Sequence, residues 1–184
     1  PVWMLIHSAQ NHYIHTDYAS NRDLWYVAST AEPAIFRPDM QWCFIGSERG
    51  FIIKNINGMY IKQHSGSTGS GYDNALHLTR SREEAQTFVY DWSNKTSETD
   101  TWTWLRPVIN DTIKALSMRV GQTSNTNIVA FRATDNNSRV ELFTAAAPGF
   151  QADNADAWYA IRYKNMNANS DAEADRRYLT STHD

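Results

Sequence analysis

The sequence predicts an all-β fold made of repeated four-strand units around one shared core. Apolar and polar residues alternate over short runs, which is the pattern of half-buried strands. Glycine, asparagine, aspartate and serine interrupt these runs at short intervals, as turns between strands do. An aromatic-led hairpin also recurs along the 184 residues, and such recurrence is typical of repeat folds.

The hairpin is clearest at residues 50–62, where the Asn57–Gly58 turn separates two short apolar runs. Each similar segment opens with a bulky aromatic residue and continues into a second short strand. These segments are residues 3–7 with 13–14, 102–106 with 115–116, and 158–162 with 178–179. Third strands are expected at 24–27, 75–78 and 128–131, and fourth strands at 33–36, 84–88 and 140–143.

One four-strand unit is too small to bury its aromatic side chains, so three units placed around an axis would pool them. We expect the shared core to contain Trp3, Leu5, Phe36, Phe51, Ile53, Phe88, Trp102, Trp104 and Phe143. The prediction is one β domain over residues 1–149, with repeats at about 1–49, 50–100 and 101–149. Residues 150–184 are expected to form a connecting loop and a fourth hairpin. That hairpin either begins a second module or replaces the first hairpin in closing the barrel.

Three such units, each opening with an aromatic-led hairpin, resemble the β-trefoil superfamily. The segment from Phe51 to Ile61 is similar to the first hairpin of lectin-type and fascin-type trefoils. The resemblance implies a threefold barrel, and the superfamily includes ricin-type lectins, fascin-like actin bundlers, fibroblast growth factors and protease inhibitors. The ricin-type Gln-x-Trp signature is absent, since the chain has Gln41–Trp42 without an intervening residue.

The sequence offers no catalytic or metal-binding constellation. Cys43 is the single cysteine and lies in a predicted strand, where a free thiol is usually a small buried apolar group. His7, His12 and His15 cluster near the start, but no carboxylate or cysteine stands at a ligand spacing with them. We expect them to be surface histidines. No nucleophile, phosphate-loop or dinucleotide motif occurs, so we predict a protein without enzymatic activity, cofactor or metal.

Sugar recognition needs a flat aromatic face and a few polar groups, which is also the general form of a ligand pocket. In ricin-type relatives each site lies between strand 2, the following loop and an aromatic residue on strand 3. The matching positions predict ligand-binding residues Asp17 and Trp25 in the first unit, and Gln63, Tyr72, Asp73, Asn74 and His77 in the second. The second unit is preferred because an aromatic, an acid and an amide are contiguous there. The alternative is that the aromatic side chains pack in the core and rim while the polar ones form turns.

The function predicted from these residues is non-catalytic, lectin-like carbohydrate binding. One alternative is a protein-binding trefoil, either a protease inhibitor acting through Ser65–Asp73 or Ser93–Asp100, or a cytoskeletal cross-linker. A further alternative is an accessory domain of a secreted hydrolase. The net charge of −3 argues against a nucleic-acid partner, and no apolar run is long enough for membrane insertion. We expect a secreted or cell-surface protein, with a cytoplasmic location left open.

Overall fold

The computed structural model describes residues 2–31, 37–63, 71–93, 95–120, 128–144, 162–164 and 176–178. The chain divides into two compact units, Pro1–Phe150 and Gln151–Asp184, which are described separately. Within the described ranges, no helix is long and apolar enough to cross a membrane.

In its described residues, the first unit consists of short strands joined by turns, and three of these turns are single turns of 3-10 helix. Its strands are β1 (Trp3–Ser8), β2 (Tyr13–Ala19), β3 (Leu24–Thr30), β4 (Trp42–Ser47), β5 (Gly50–Asn55), β6 (Tyr60–Ile61), β7 (Leu78–Thr79), β8 (Phe88–Asp91), β9 (Trp104–Ile109), β10 (Thr112–Ile113), β11 (Leu116–Val120), β12 (Val129–Ala133) and β13 (Val140–Thr144). The 3-10 turns are Pro38–Met40, Tyr72–Asn74 and Asn136–Ser138. The paired strands run antiparallel, and the prediction of an all-β fold is confirmed.

Strands from all parts of the first unit close into a barrel. β1 pairs with β4 and β13, β4 with β5, β5 with β8, and β8 with β9. The ring closes where the Thr103 amide donates to the Val140 carbonyl at 2.9 Å and the Val140 amide donates back at 2.8 Å. Closure pairs the outermost strands with each other, which is how barrels avoid exposed edges.

The hairpins β2–β3, β6–β7 and β11–β12 meet around a common axis. The Val27 amide donates to the Leu76 carbonyl, and the Leu76 amide donates to the Val129 carbonyl, each at 2.8 Å. All three residues have no exposed surface. The same hairpins are also joined pairwise by the bridges Tyr26–His77, Ala28–Ile128 and Ala75–Ala130. Backbone hydrogen bonds and bridges therefore join the three hairpins to one another, as a β-trefoil-like fold requires.

One apolar core is shared by the three repeats. Its buried side chains include Ile6, Ile14, Val27, Trp42, Phe51, Ile53, Ile61, Leu76, Phe88, Leu105, Met118, Val129, Phe131 and Val140. Phe51, Ile53 and Phe88 are buried in this core as predicted. Full burial of a side chain of this size contributes about 1.5–3 kcal/mol, so a core pooled from three repeats stabilises each of them.

In the first and third repeats, the inward face is shifted by one residue from the prediction. Ile6, Leu105 and Val140 point into the core, whereas Phe143 is 41% exposed. The prediction of a core position is wrong for Trp3, Trp102, Trp104 and Phe143, which are partly exposed. Leu5 is buried as predicted, but it packs with Met40 in a separate cluster. Phe36 lies outside the described residues. Adjacent residues of a strand face opposite sides. Because these strands carry apolar residues on both faces, alternation alone leaves the inward face undecided.

The place of the fourth strand in the first repeat is taken by β4. The predicted segment 33–36 lies outside the described residues. β4 lies between β1 and β5, with Cys43 opposite both Trp3 and Lys54. Cys43 is buried, as expected for a free thiol in a strand.

In the second unit, β14 (Arg162–Lys164) and β15 (Arg176–Tyr178) pair antiparallel, with Tyr163 opposite Arg177. This ladder falls within the segment in which a fourth hairpin is expected. The domain boundary between residues 149 and 150, the repeat limits and the part that this hairpin plays stay predictions.

Candidate functional site

The hairpin β2–β3 ends in an exposed tip. Its register places Asp17 opposite Tyr26 and Tyr18 opposite Trp25. Because successive residues of a strand point to opposite faces, the tip carries an acid–aromatic pair on one side and two aromatic rings on the other. Because Trp25 and Tyr26 are adjacent in a predicted strand, the sequence predicts that one of them faces outward if the other lies in the core. This is confirmed, since Trp25 is 40% exposed and Tyr26 only 7%.

On the outward face, Tyr18 and Trp25 form an exposed ring pair. The ring centroids lie 4.9 Å apart at an interplanar angle of 41°, and each residue is 40% exposed. The Tyr18 hydroxyl donates to Asp23 Oδ1 at 2.5 Å, and this hydrogen bond raises the pKa of Tyr18. The outward face thus combines two flat apolar surfaces with one carboxylate.

On the inward face, the Tyr26 hydroxyl donates to Asp17 Oδ2 at 2.8 Å. Burial, and after it this hydrogen bond, raises the pKa of Tyr26, so the phenol stays protonated. The Tyr26 ring meets the Tyr72 ring edge-on at a centroid distance of 5.0 Å. His77 Nε2 lies 2.8 Å from the Tyr72 carbonyl oxygen. The inward face therefore sits at the junction between the first repeat and the second.

An ion pair joins the hairpin tip to the second repeat. Arg22 Nη1 lies 2.6 Å from Asp73 Oδ1, with the two side chains 48% and 77% exposed. Such an exposed pair stabilises a fold by about 0.2–1 kcal/mol, so both groups can exchange partners with a ligand at little cost. We call the set Asp17, Tyr18, Arg22, Asp23, Trp25 and Asp73 the hairpin-tip surface.

The predicted ligand residues divide among three places. Those that meet at the junction are Asp17, Tyr72, Asp73, Asn74 and His77. Trp25 belongs to the same hairpin but faces its opposite side. Gln63 lies apart and lines a polar cleft of about 990 Å³, which also contains the Arg49–Asp111 ion pair. Ligand binding by these residues stays a prediction.

Arg22 and Asp23 are the residues that the sequence reasoning did not select. Arg22 is 51 positions from its partner Asp73, and no local pattern predicts an ion pair over that separation. Asp23 has a left-handed φ of 50°, which aspartate adopts in turns more readily than most residues. A turn-forming aspartate six residues after Asp17 is the signal that could have indicated a second carboxylate at the tip.

The three histidines near the start of the chain contact different partners. His7 Nε2 lies 3.3 Å from Asn11 Oδ1. His15 is only 9% exposed and has Nδ1 3.5 Å from Asp39 Oδ2, so the expectation of a surface histidine is wrong there. In the part of the chain that the structure describes, no three His, Cys, Asp or Glu side chains come together as a metal ion would require.

The loop Ser93–Asp100, considered above as a protein-binding loop, is folded around its last residue. Asp100 Oδ2 accepts hydrogen bonds from the Thr96 amide and hydroxyl, each at 3.1 Å. Asp100 Oδ1 accepts from the Trp102 amide at 3.1 Å. The hydrogen bonds from the Thr96 and Trp102 amides hold the pKa of Asp100 below its usual value. In the other loop considered, residues 65–70 lie outside the described ranges.

Comparison with known proteins finds similarity in structure only. No protein family and no curated protein matches the sequence. Among solved structures, the designed threefold symmetric protein ThreeFoil is 12% identical, with 76% of this chain and 96% of that chain covered and a TM-score of 0.50. A cysteine and tryptophan-rich salivary protein from Culex quinquefasciatus is 11% identical over 78% of this chain and 94% of its own, with a TM-score of 0.52.

A third similar structure is a GlcNAcα1-4Gal-releasing endo-β-galactosidase from Clostridium perfringens. It is 13% identical over 78% of this chain, with a TM-score of 0.52, and this chain covers 32% of its length. Identities this low show the fold alone. Together with the closed barrel and the three joined hairpins, they show that the chain has a β-trefoil-like fold, and that prediction is confirmed.

Proposed function

We propose that the protein is a non-catalytic, lectin-like carbohydrate-binding module and that the hairpin-tip surface contacts the sugar. The observation that carries the proposal is the exposed Tyr18–Trp25 ring pair beside the Asp23 carboxylate. Single exposed rings are common on protein surfaces and need no function. Here the hairpin register holds two rings side by side, and one of them is hydrogen-bonded to a carboxylate. These groups form a pre-organised surface.

The chemistry of a sugar matches this surface. One face of a pyranose ring presents C–H groups, which pack on an indole or phenol ring. The sugar hydroxyls can donate to the carboxylate of Asp23, on the same face as the ring pair, and accept from the Arg22 guanidinium. The surface is open, so a single sugar makes few contacts, and we expect a dissociation constant of about 1 mM for a monosaccharide.

A second candidate is an accessory role of the same module in a longer protein. The galactosidase noted above, of which this chain covers 32%, shows that the fold occurs within a longer enzyme. Sugar binding here would hold such a protein on its glycan without taking part in the reaction. For either candidate we propose a secreted or cell-surface protein, since extended glycans are met there.

A glycan array followed by titration calorimetry tests the proposal. We expect the best-bound glycan to bind about tenfold more weakly to Trp25→Ala, a loss of about 1.4 kcal/mol. Asp23→Asn should also weaken binding, because the amide accepts hydroxyl hydrogen bonds less strongly than the charged carboxylate. Trp92→Ala is the matched control, since Trp92 is 45% exposed and lies outside the hairpin-tip surface.

Two results would contradict the proposal. One is a wild-type protein that binds no glycan on the array. The other is glycan binding that Trp25→Ala and Trp92→Ala leave equally intact, with circular dichroism showing that both variants are folded. Tight inhibition of a protease without glycan binding would replace the proposal with the protein-binding alternative.

A further inference from the structure

A second surface, chemically unlike the hairpin tip, lies where β4, β5 and β8 meet. It is an apolar groove of about 530 Å³, which we call the aromatic groove. Its lining residues are Phe44, Gly50, Phe51, Val89, Tyr90 and Trp92. Pockets for small molecules have volumes of roughly 300–1,000 Å³, so the groove is large enough for one.

The rings of the aromatic groove form one cluster around Tyr90. Phe51 and Tyr90 have centroids 4.3 Å apart at 29°, and Phe44 and Tyr90 have centroids 6.1 Å apart at 21°. Phe44 and Phe51 have centroids 5.3 Å apart at 49°, and the Trp92 centroid lies 6.0 Å from that of Tyr90 at 33°. Phe51 is 7% exposed, whereas Tyr90 and Trp92 are 39% and 45% exposed. The groove thus has a buried base and open aromatic sides, onto which a flat ring can pack by offset stacking.

The groove belongs to the barrel sheet rather than to a loop. Phe44 and Phe51 lie on the paired strands β4 and β5, and Phe51 lies directly opposite Phe88 on β8. Gly50 lets β5 approach β8 closely, because a Cβ atom at that position would lie 2.1 Å from the Phe88 carbonyl oxygen. The base of the groove is therefore held by backbone pairing before any ligand arrives.

A positive charge stands at the rim. Lys95 Nζ lies 5.9 Å from the centroid of the Trp92 ring. The neighbouring carboxylate of Asp91 is paired with Arg106 at 2.5 Å. The ion pairs found among the described residues do not include Lys95. The ammonium group is therefore available to an anion that occupies the groove.

From the ring geometry and this charge, we propose that the aromatic groove binds a small aromatic acid, a flat ring system that carries one carboxylate or sulfonate. The ring stacks on Tyr90 and Trp92 with its edge toward Phe51, and the acid group reaches Lys95. This site is separate from the hairpin-tip surface. Its lining contains no carboxylate to accept sugar hydroxyls, so the two sites select different ligands.

Two dyes with nearly the same ring system test the proposal. Anilinonaphthalene sulfonate is an acid that carries a flat naphthalene ring, and phenylnaphthylamine is its uncharged counterpart. The fluorescence of both rises on transfer from water to an apolar site. We expect the folded wild-type protein to bind the sulfonate saturably at one site and to bind the neutral dye about threefold more weakly, the size of one exposed charge contact.

Two substitutions distinguish the stacking ring from the charge. Trp92→Ala should lower the affinity for both dyes about tenfold, since it removes one of the rings on which they stack. Lys95→Gln should lower only the affinity for the sulfonate, to that of the neutral dye. Trp25→Ala is the matched control and should leave the affinity for both dyes unchanged. The dye experiment therefore tests the aromatic groove independently of sugar binding at the hairpin-tip surface.

Three results would overturn the proposal. The first is sulfonate binding that Trp92→Ala does not weaken. The second is equal affinity of the two dyes for the wild-type protein. The third is a dimer in light scattering that Trp92→Ala converts to a monomer, which would make a second copy of the chain the occupant of the groove. Near-ultraviolet circular dichroism must show the same folded signal for each variant that is compared.

Discussion

Gly50 occupies a position where the backbone leaves no room for a side chain. A Cβ atom there would lie 2.1 Å from the Phe88 carbonyl oxygen, and the φ of 155° is unfavourable for other residues. We expect Gly50→Ala to lower the free energy of unfolding by about 2–4 kcal/mol, as measured by urea denaturation. The matched control is Gly46→Ala, where no atom lies within 4 Å of the added Cβ; it should change stability by about 0.5 kcal/mol or less.

Equal losses in the two glycine variants would show that the close approach of β5 to β8 is not what requires glycine at position 50.

Tyr26 links stability to alkaline pH. Burial, and after it the hydrogen bond to Asp17, raises the pKa of Tyr26 in the folded protein. An unfolded tyrosine loses its proton near about pH 10. The contribution of Tyr26 is therefore fully present below that pH, and above it the free energy of unfolding falls as the unfolded state alone ionises. We expect Tyr26→Phe to show a shallower fall than wild type between about pH 10 and 11.5.

The measurement is urea denaturation at a series of pH values. Below about pH 9, where an ordinary tyrosine is protonated, the difference in stability between wild type and Tyr26→Phe should be independent of pH. Parallel curves across the whole alkaline range would show that the ionisation of Tyr26 is not coupled to folding.

At the scale of single residues, the sequence predicted which adjacent side chains lie on opposite faces of a strand. It did not predict which residues far apart in sequence contact each other. Strand alternation predicted that Trp25 and Tyr26 face opposite sides, and their exposures of 40% and 7% agree. The Arg22–Asp73 pair depends on how the first repeat packs on the second. That packing depends on how the hairpins are arranged in space. The sequence around Arg22 contains no pattern that indicates this arrangement.

At the scale of elements, the sequence did not determine which face of each strand turns toward the core. In β5 the prediction of Phe51 and Ile53 as core is confirmed. In β1 and β9 the aromatic residues lie on the outer face, and Ile6 and Leu105 fill the core. A strand with apolar residues on both faces satisfies either orientation locally. The pairing with neighbouring strands then decides which face turns inward.

Trp42 shows what β4 contributes to the first repeat. It has no exposed surface, and its indole Nε1 donates to the Ile14 carbonyl at 2.9 Å, which ties β4 to β2. We expect Trp42→Phe to cost about 2–4 kcal/mol, from the smaller ring and the unpaired buried carbonyl. The matched control, Trp92→Phe, should cost about 0.5 kcal/mol or less, because Trp92 is 45% exposed. Urea denaturation of the two variants makes the comparison.

A small loss in Trp42→Phe, similar to that in Trp92→Phe, would show that the β2–β4 contact adds little to stability. The fourth strand of the first repeat would then be held mainly by its backbone pairing with β1 and β5.

In the first unit, the all-β fold and the shared core agree with the prediction from burial. Aromatic-led units that cannot bury their own rings must share a core, and the structure has such a core with contributions from all three repeats. The sequence did not predict which residues meet on the axis. Val27, Leu76 and Val129 are ordinary aliphatic residues, and only the joining of the three hairpins distinguishes them.

The joining of the repeats predicts that they unfold together. The amides of Val27 and Leu76 each donate to a carbonyl of another repeat, so neither can open without separating two repeats. We expect both amides to exchange hydrogen with the same free energy as global unfolding, whereas the exchange free energy of the Arg22 amide at the hairpin tip should be lower by at least about 2 kcal/mol.

Gly50→Ala should lower the exchange free energies of Val27 and Leu76 by as much as it lowers the free energy of global unfolding. Nuclear magnetic resonance of native-state exchange measures these values, and clearly different free energies for Val27 and Leu76 would mean that the repeats open separately.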